Sequence, residues 1–230
     1  MSPAPSVIAP VSAIADVLAL WGRDGWLTPP LRPIVAAAAP TIGRVCTISI
    51  DVAPAGPGMG KIYDVLSSDL SDRFVVVAGA GGLEGAMWGE ILATAAQSNG
   101  ASGVLVDGAV RDRPEIESIG FATYGRDERI VGPYGTAHVV ALNEPVTIAG
   151  VGIDPDDHIV ADATGVIRVR GAELDDVLFA AAAYAAAEER VVEALRNGEP
   201  LTSAYRYKKN VVDELQKNQH SHKEHNGENQ

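Results

Sequence analysis

The chain has 230 residues, 47% hydrophobic and 21% charged, enough to bury one substantial core and too apolar to stay disordered. Its 18 basic and 30 acidic residues leave −12 at pH 7, which disfavours nucleic acid and anionic membrane as partners but not a small anionic substrate held by local arginines. The single cysteine, Cys46, excludes an intrachain disulfide and a multi-cysteine zinc site. With no apolar run long enough for a membrane span and no signal peptide expected, the expected location is cytoplasmic.

In chain order, residues 1–11 read as a loose Pro/Ala/Ser arm. Ser12 is expected to cap a helix to Leu20, closed by Gly22. Thr28 to Pro33 holds three prolines and reads as an ordered loop. Arg44 to Asp51 has strand patterning, Pro54 to Gly60 is turn material, and Lys61 to Ser68 predicts a short helix. Phe74 to Ala78 is a short apolar strand, Gly79 to Gly82 a glycine loop, Gly85 to Asn99 a helix, and Gly103 to Val106 a second strand ending at Asp107-Gly108. Together they predict an α/β fold with a parallel βαβ unit. A helix from Arg113 to Ser118 and a strand near Phe121 to Tyr124 follow. Four short strands are expected next, at Ala137–Leu142, Val146–Ala149, His158–Ala161 and Val166–Val169. A long Ala-rich helix from Glu173 to Asn197 then ends at Gly198. Residues 12–198 read as one domain, and residues 199–230 as a polar tail with a disordered end.

The chemistry-bearing residues are few. Lys61 is the only lysine before Lys208, and only His138 and His158 precede the tail, so a histidine base or Cys-His pair has little material. Cys46, inside Val45-Cys46-Thr47-Ile48, reads as a buried thiol. The glycine loop admits three readings: a nucleotide or S-adenosylmethionine site, a packing turn, or an anion site at a helix N-terminus. The strict dinucleotide spacing is broken by Glu84. In a parallel βαβ unit the loop and the end of the next strand share the carboxyl edge of the sheet. That brings Arg111 and Asp112 near the start of the helix carrying Glu90.

The segment Gly85-Ala-Met-Trp-Gly-Glu-Ile-Leu-Ala-Thr-Ala-Ala96, followed by Gly103-Val-Leu-Val-Asp-Gly-Ala-Val-Arg-Asp112, resembles the RraA-like family. Leu31-Arg32-Pro33, Gly43-Arg44-Val45 and Asp162-Ala-Thr-Gly165-Val add to the likeness, which spans roughly Ser12 to Gly198. The family includes divalent-metal 4-hydroxy-4-methyl-2-oxoglutarate / 4-carboxy-4-hydroxy-2-oxoadipate aldolases and the regulator of ribonuclease E activity A. The resemblance implies a fold of the swivelling β/β/α type, assembled as trimers or dimers of trimers with sites between subunits. It implies that Gly89, Glu90, Ile91 and Leu92 meet the substrate and that Arg111 binds it. Asp112 would ligate Mg²⁺ or Mn²⁺, and Glu90 would serve as a water-mediated partner of the cation or a proton relay. Glu188, next to Glu189, would reach a neighbour's site. The aldolases commonly have Asp at the position of Glu90, and many have Asp-Asn near Gly58-Met59. The expected activity is release of pyruvate from a 4-hydroxy-2-oxo acid, with oxaloacetate decarboxylation by the same enolate chemistry. The alternative is a non-catalytic regulator that binds a ribonuclease. That regulator typically lacks the aspartate after the arginine, so Asp112 favours the enzyme.

Overall fold

The computed structural model describes residues 7–27 and 31–227, with side chains described up to residue 217. The first helix is Val11–Leu20 (α1). It enters from Pro10, whose carbonyl accepts from Ala13 N–H at 3.0 Å, so Ser12 lies inside the first turn and does not cap it. Gly22, at φ 64, closes the helix by donating to the Ala19 carbonyl. Arg32–Val35 (β1) is a strand where a loop was expected; Thr28 to Pro30 of that loop lie outside the described residues. Thr41–Val52 (β2), Gly60–Leu66 (α2) and Arg73–Ala78 (β3) follow, then Ala86–Trp88 (β4) and Glu90–Ser98 (α3). Gly103–Val110 (β5), Arg113–Ile119 (α4) and Thr123–Glu128 (β6) complete the α/β stretch. Next come Ala137–Leu142 (β7), Val146–Ile148 (β8), Val151–Ile153 (β9), His158–Asp162 (β10) and Gly165–Val169 (β11). The C-terminal helices are Leu174–Arg196 (α5), Leu201–Ala204 (α6) and Arg206–Gly227 (α7).

The chain divides into two units, a helical one containing α1, α5, α6 and α7 and a sheet unit from Trp26 to Ala172. In the sheet unit the strand order is β1-β6-β5-β3-β2-β10-β11, with β4 added to β5 and β7 to β2. Pairings β2–β3, β3–β5 and β5–β6 are parallel, as the βαβ reading requires. Trp26 bridges Ile167 of β11, which brings the two sheet edges close to a closed barrel. The central strands read as unbroken apolar runs because both faces are covered. Val75, Val77, Val104 and Val106 pack with Ile62, Leu66, Ala93 and Ile116 of the overlying helices. Phe74, Val76 and Leu105 face the other way, onto Val45, Tyr124 and Ile159. Cys46 is buried, and burial raises its thiol pKa.

Two boundaries depart from expectation, and both shape the site. The helix expected from Gly85 starts at Glu90, because Ala86 to Trp88 pair with β5 instead. A Cβ on Gly85 would sit 2.2 Å from the Gly132 carbonyl oxygen, so the chain passes there only as glycine. The strand expected to end near Val106 runs on to Val110, and so delivers Arg111 at its tip.

Candidate active site

The glycine loop is a packing turn. Gly79 has φ 86, and a Cβ there would lie 2.3 Å from the Ile50 carbonyl oxygen. Its N–H is taken by Asp107 Oδ2 at 3.4 Å, and residues 80–82 form a single tight turn leading to β4 rather than to a helix. The cofactor readings fail on this topology, since the loop does not open α3. The helix N-terminus with first-turn amides, at Gly89, lies ten residues further on.

There, Gly89 precedes α3 in extended conformation, with φ −165. It has no side chain to cap the helix. The first carbonyl reached is its own, accepting from Ala93 N–H at 3.0 Å, so the amides of Ile91 and Leu92 have no backbone partner among the described residues. The Glu90 amide is met by Asp112 Oδ2 at 3.4 Å. Asp112 precedes α4 and could cap it, but makes no such bond. Its backbone is left-handed, at φ 58, a conformation costing a non-glycine residue about 1–3 kcal/mol, and its carboxylate is spent on α3 and on Arg111 instead. Arg111 Nε lies 3.2 Å from the same Oδ2 as an ion pair, and each side chain is 37% exposed. Among the described residues Asp112 Oδ1 and the Arg111 side chain make no hydrogen bond.

Two glycines make room for this pair. A Cβ on Gly89 would lie 2.7 Å from Asp112 Oδ2 and 2.9 Å from Arg111 Cγ; one on Gly132 would lie 3.2 Å from Arg111 Nη1. The Arg111 amide is fixed by the Trp88 carbonyl at 2.9 Å. Beside the guanidinium opens a cavity of about 150 Å³, walled by Met59, Tyr63, Met87, Trp88, Leu92 and Pro133. Ile91 is 75% exposed at the cavity rim. Glu90 is exposed and forms no ion pair among the described residues.

The sequence reading thus brings together Gly89, Glu90, Ile91, Leu92, Arg111 and Asp112, and misses Gly132 and the cavity wall. Gly132-Pro133 carried a turn signal but nothing to link it to Arg111. Glu188 belongs to the helical unit, where its carboxylate accepts from Lys208 Nζ at 2.7 Å. Lys61 is exposed on α2 and has no ion pair among the described residues, and it lacks the apolar pocket that activates a Schiff-base lysine. His138 is a structural group: its Nδ1 accepts from Gly58 N–H at 2.9 Å, and its Nε2 donates to the Ala53 carbonyl at 3.1 Å. No three His, Cys, Asp or Glu side chains gather as a metal cage among the described residues. No helix among them is long and apolar enough to cross a membrane.

Residues 11–168 match the family model described as RraA-like, Aldolase/RraA. The chain belongs to the RraA-like family. It is 33% identical over 197 residues to Protein DlpA of Legionella pneumophila, covering 83% of this chain but 31% of that protein; the chain spans about a third of DlpA. An uncharacterized protein from Pseudomonas syringae superposes with TM-score 0.75 at 23% identity, over 85% of this chain and 92% of that one. RraAS2 of Streptomyces coelicolor, described as an unusual member of the RNase ES inhibitor RraA family, gives 0.65 at 20%, over 77% and 88%. At these identities the two structures speak for the fold alone.

Proposed function

We propose that the chain is a divalent-metal-dependent lyase that cleaves a 4-hydroxy-2-oxo acid and releases pyruvate. The observation that carries this reading is Asp112. A strained backbone turns its carboxylate away from its own helix, beside Arg111 and the first-turn amides of α3, and among the described residues Oδ1 accepts no hydrogen bond. A hard oxygen donor with no protein cage suits a cation such as Mg²⁺ or Mn²⁺, which keeps most of its shell from water and substrate. Asp112 would hold it. The bound cation would supply Lewis-acid stabilisation of the enolate.

The chain's own residues carry the remaining steps. The amides of Ile91 and Leu92 take the substrate carboxylate at the positive end of α3. The Arg111 terminal nitrogens take the 2-oxo oxygen, where negative charge grows as the C3–C4 bond breaks; such a placed donor is worth about 3 kcal/mol of barrier. The C4 hydroxyl loses its proton as its carbon becomes a carbonyl. Glu90, exposed and uncommitted, relays a proton, and C3 takes one up to give pyruvate. The same enolate forms when oxaloacetate loses carbon dioxide. Assembly into trimers or dimers of trimers, with Glu188 reaching a neighbour's site, belongs to the same proposal; it requires Glu188 to exchange its Lys208 contact or Glu189 to take the role.

Pyruvate release from a panel of 4-hydroxy-2-oxo acids and oxaloacetate, with and without Mg²⁺, tests the reading. Chelation should abolish release, and borohydride should trap no substrate on Lys61. Asp112→Asn should lose Mg²⁺ affinity by calorimetry, whereas Arg111→Lys should keep it and lose turnover. Wild-type affinity and turnover in Asp112→Asn would remove Asp112 from the mechanism. No pyruvate from any substrate would leave the regulator class.

A further inference from the structure

The loop from Ala53 to Met59 is held against β7 by backbone bonds and by one imidazole. Ala53 N–H donates to the Thr136 carbonyl at 2.9 Å, and Val139 N–H to the Gly58 carbonyl at 3.0 Å. The ring of His138, 4% exposed, accepts from Gly58 N–H at Nδ1 and donates to the Ala53 carbonyl at Nε2. A Cβ on Gly56 would lie 2.5 Å from the ring Cγ, so loop and ring are in direct contact. These partners fix the form of the ring. An amide only donates and a backbone carbonyl only accepts, so Nδ1 is bare and Nε2 carries the hydrogen: the imidazole is neutral. A proton on Nδ1 would set two donors face to face in a buried place, and the Gly58 bond would be lost. The backbone bonds do not titrate. The loop ends at Met59, which walls the cavity beside Arg111.

We propose that His138 is a pH-sensitive positioning residue: when neutral it clamps the loop that sets Met59 in the cavity wall, and its protonation releases both. The clamp is complete at high pH and is lost as pH falls through the titration of this ring. The loop itself carries no titratable side chain. Of the elements packed on β7, β2 places the exposed Asp51 opposite His138, and α2 carries the exposed Lys61, Tyr63 and Asp64. None of them forms an ion pair with the ring among the described residues. Asp51, as the cross-strand partner, is the anion placed to draw a proton to it. The clamp stands without the lyase; its effect on a bound 2-oxo acid rests on the proposed site reading.

NMR of the full chain with labelled methionine methyls follows ring, loop and wall together, since Met1, Met59 and Met87 are its only methionines. From about pH 8 to about pH 5, exchange protection of the Gly58 amide should fall at least about tenfold, with the midpoint of the His138 ring resonance. The Met59 methyl should shift at the same midpoint, while that of Met87, carried by β4, stays. His138→Asn offers an oxygen that accepts without titrating, and should remove both pH effects. His138→Phe keeps the ring bulk without an acceptor, and should leave Gly58 unprotected at every pH. In Mg²⁺, pyruvate affinity by calorimetry should fall about tenfold through the same midpoint in wild type and stay flat in His138→Asn. Wild-type spectra decide the clamp even where a variant fails to fold. Gly58 protection or a Met59 methyl that ignores the ring overturns it, as does a ring that stays neutral until the chain unfolds. Pyruvate affinity that ignores a ring which Gly58 and Met59 follow would sink the positioning role and keep the lyase. No pyruvate binding at any pH, with Gly58 and Met59 following the ring, would keep the clamp and sink the lyase.

Discussion

The end of β5 carries two Arg–Asp pairs of the same composition and opposite character. Asp107 has its side chain 11% exposed and both oxygens engaged: Oδ1 takes Arg126 Nε and Nη2 at 2.6 and 2.5 Å, and Oδ2 takes the Gly79 amide. Asp112, five residues later, is 37% exposed, brings Oδ2 to both the Glu90 amide and Arg111 Nε, and stands on a left-handed backbone. The helical unit repeats the first type. There Lys208 lies between Glu188 and Asp16 and over the Tyr184 ring, whose hydroxyl donates to Asp16 at 2.7 Å. A closed pair holds a fold together; a pair left half-satisfied, at a backbone cost, keeps valence for a ligand.

Gly89→Ala attacks the open pair most directly. Extended backbone accepts alanine, but the new methyl would overlap Asp112 Oδ2 and Arg111 Cγ. On the proposed lyase reading, catalytic efficiency for pyruvate release should fall at least about 100-fold, the size of effect expected from a misplacement of about 1 Å. Unfolding by urea should change little, and an active Gly89→Ala protein would break the comparison. The closed pair should behave inversely. Asp107→Asn should cost on the order of 2 kcal/mol of unfolding free energy, less than a fully buried pair because Arg126 is 32% exposed, with metal affinity retained. Lys208→Met should cost about 1 kcal/mol in the same measurement, since its Glu188 partner is 39% exposed.

Alkaline titration gives the smallest effect and a common ruler for both units. Tyr124 donates to the Asp162 carbonyl at 2.9 Å, and burial raises its pKa to about 12. Burial first, then Asp16, raises Tyr184 to about 12 against the nearby Lys208 cation. Both hydroxyls stay neutral in the fold beyond the point where an unfolded tyrosine ionises. Their contribution is therefore complete below about pH 10 and is lost as pH rises towards 12. Urea midpoints across that window should fall in wild type and fall less in Tyr124→Phe; an unchanged slope would place the tyrosine contribution elsewhere.

The elements legible in the sequence were those whose pattern is local. The apolar runs of β3 and β5, the Ala-rich α5 with Gly198 after it, and the parallel βαβ order follow from periodicity and punctuation alone. So does the grouping of Arg111 and Asp112 with Glu90, because strand ends and helix starts in such a unit share one edge. Only the tertiary structure decided the rest. Ala86 to Trp88 is a strand because β5 offers it hydrogen bonds, and those bonds are not encoded within the three residues. The choice between Asp107 and Asp112 as the available carboxylate depends on Arg126 reaching one and not the other. Gly132 matters because the chain folds back over Arg111, and the cavity wall joins Met59, Tyr63, Trp88 and Pro133 from three separate stretches. Periodicity reports which face of an element is apolar; it carries no information about which distant segment covers it, and at this site that cover decides where charge remains open to a ligand.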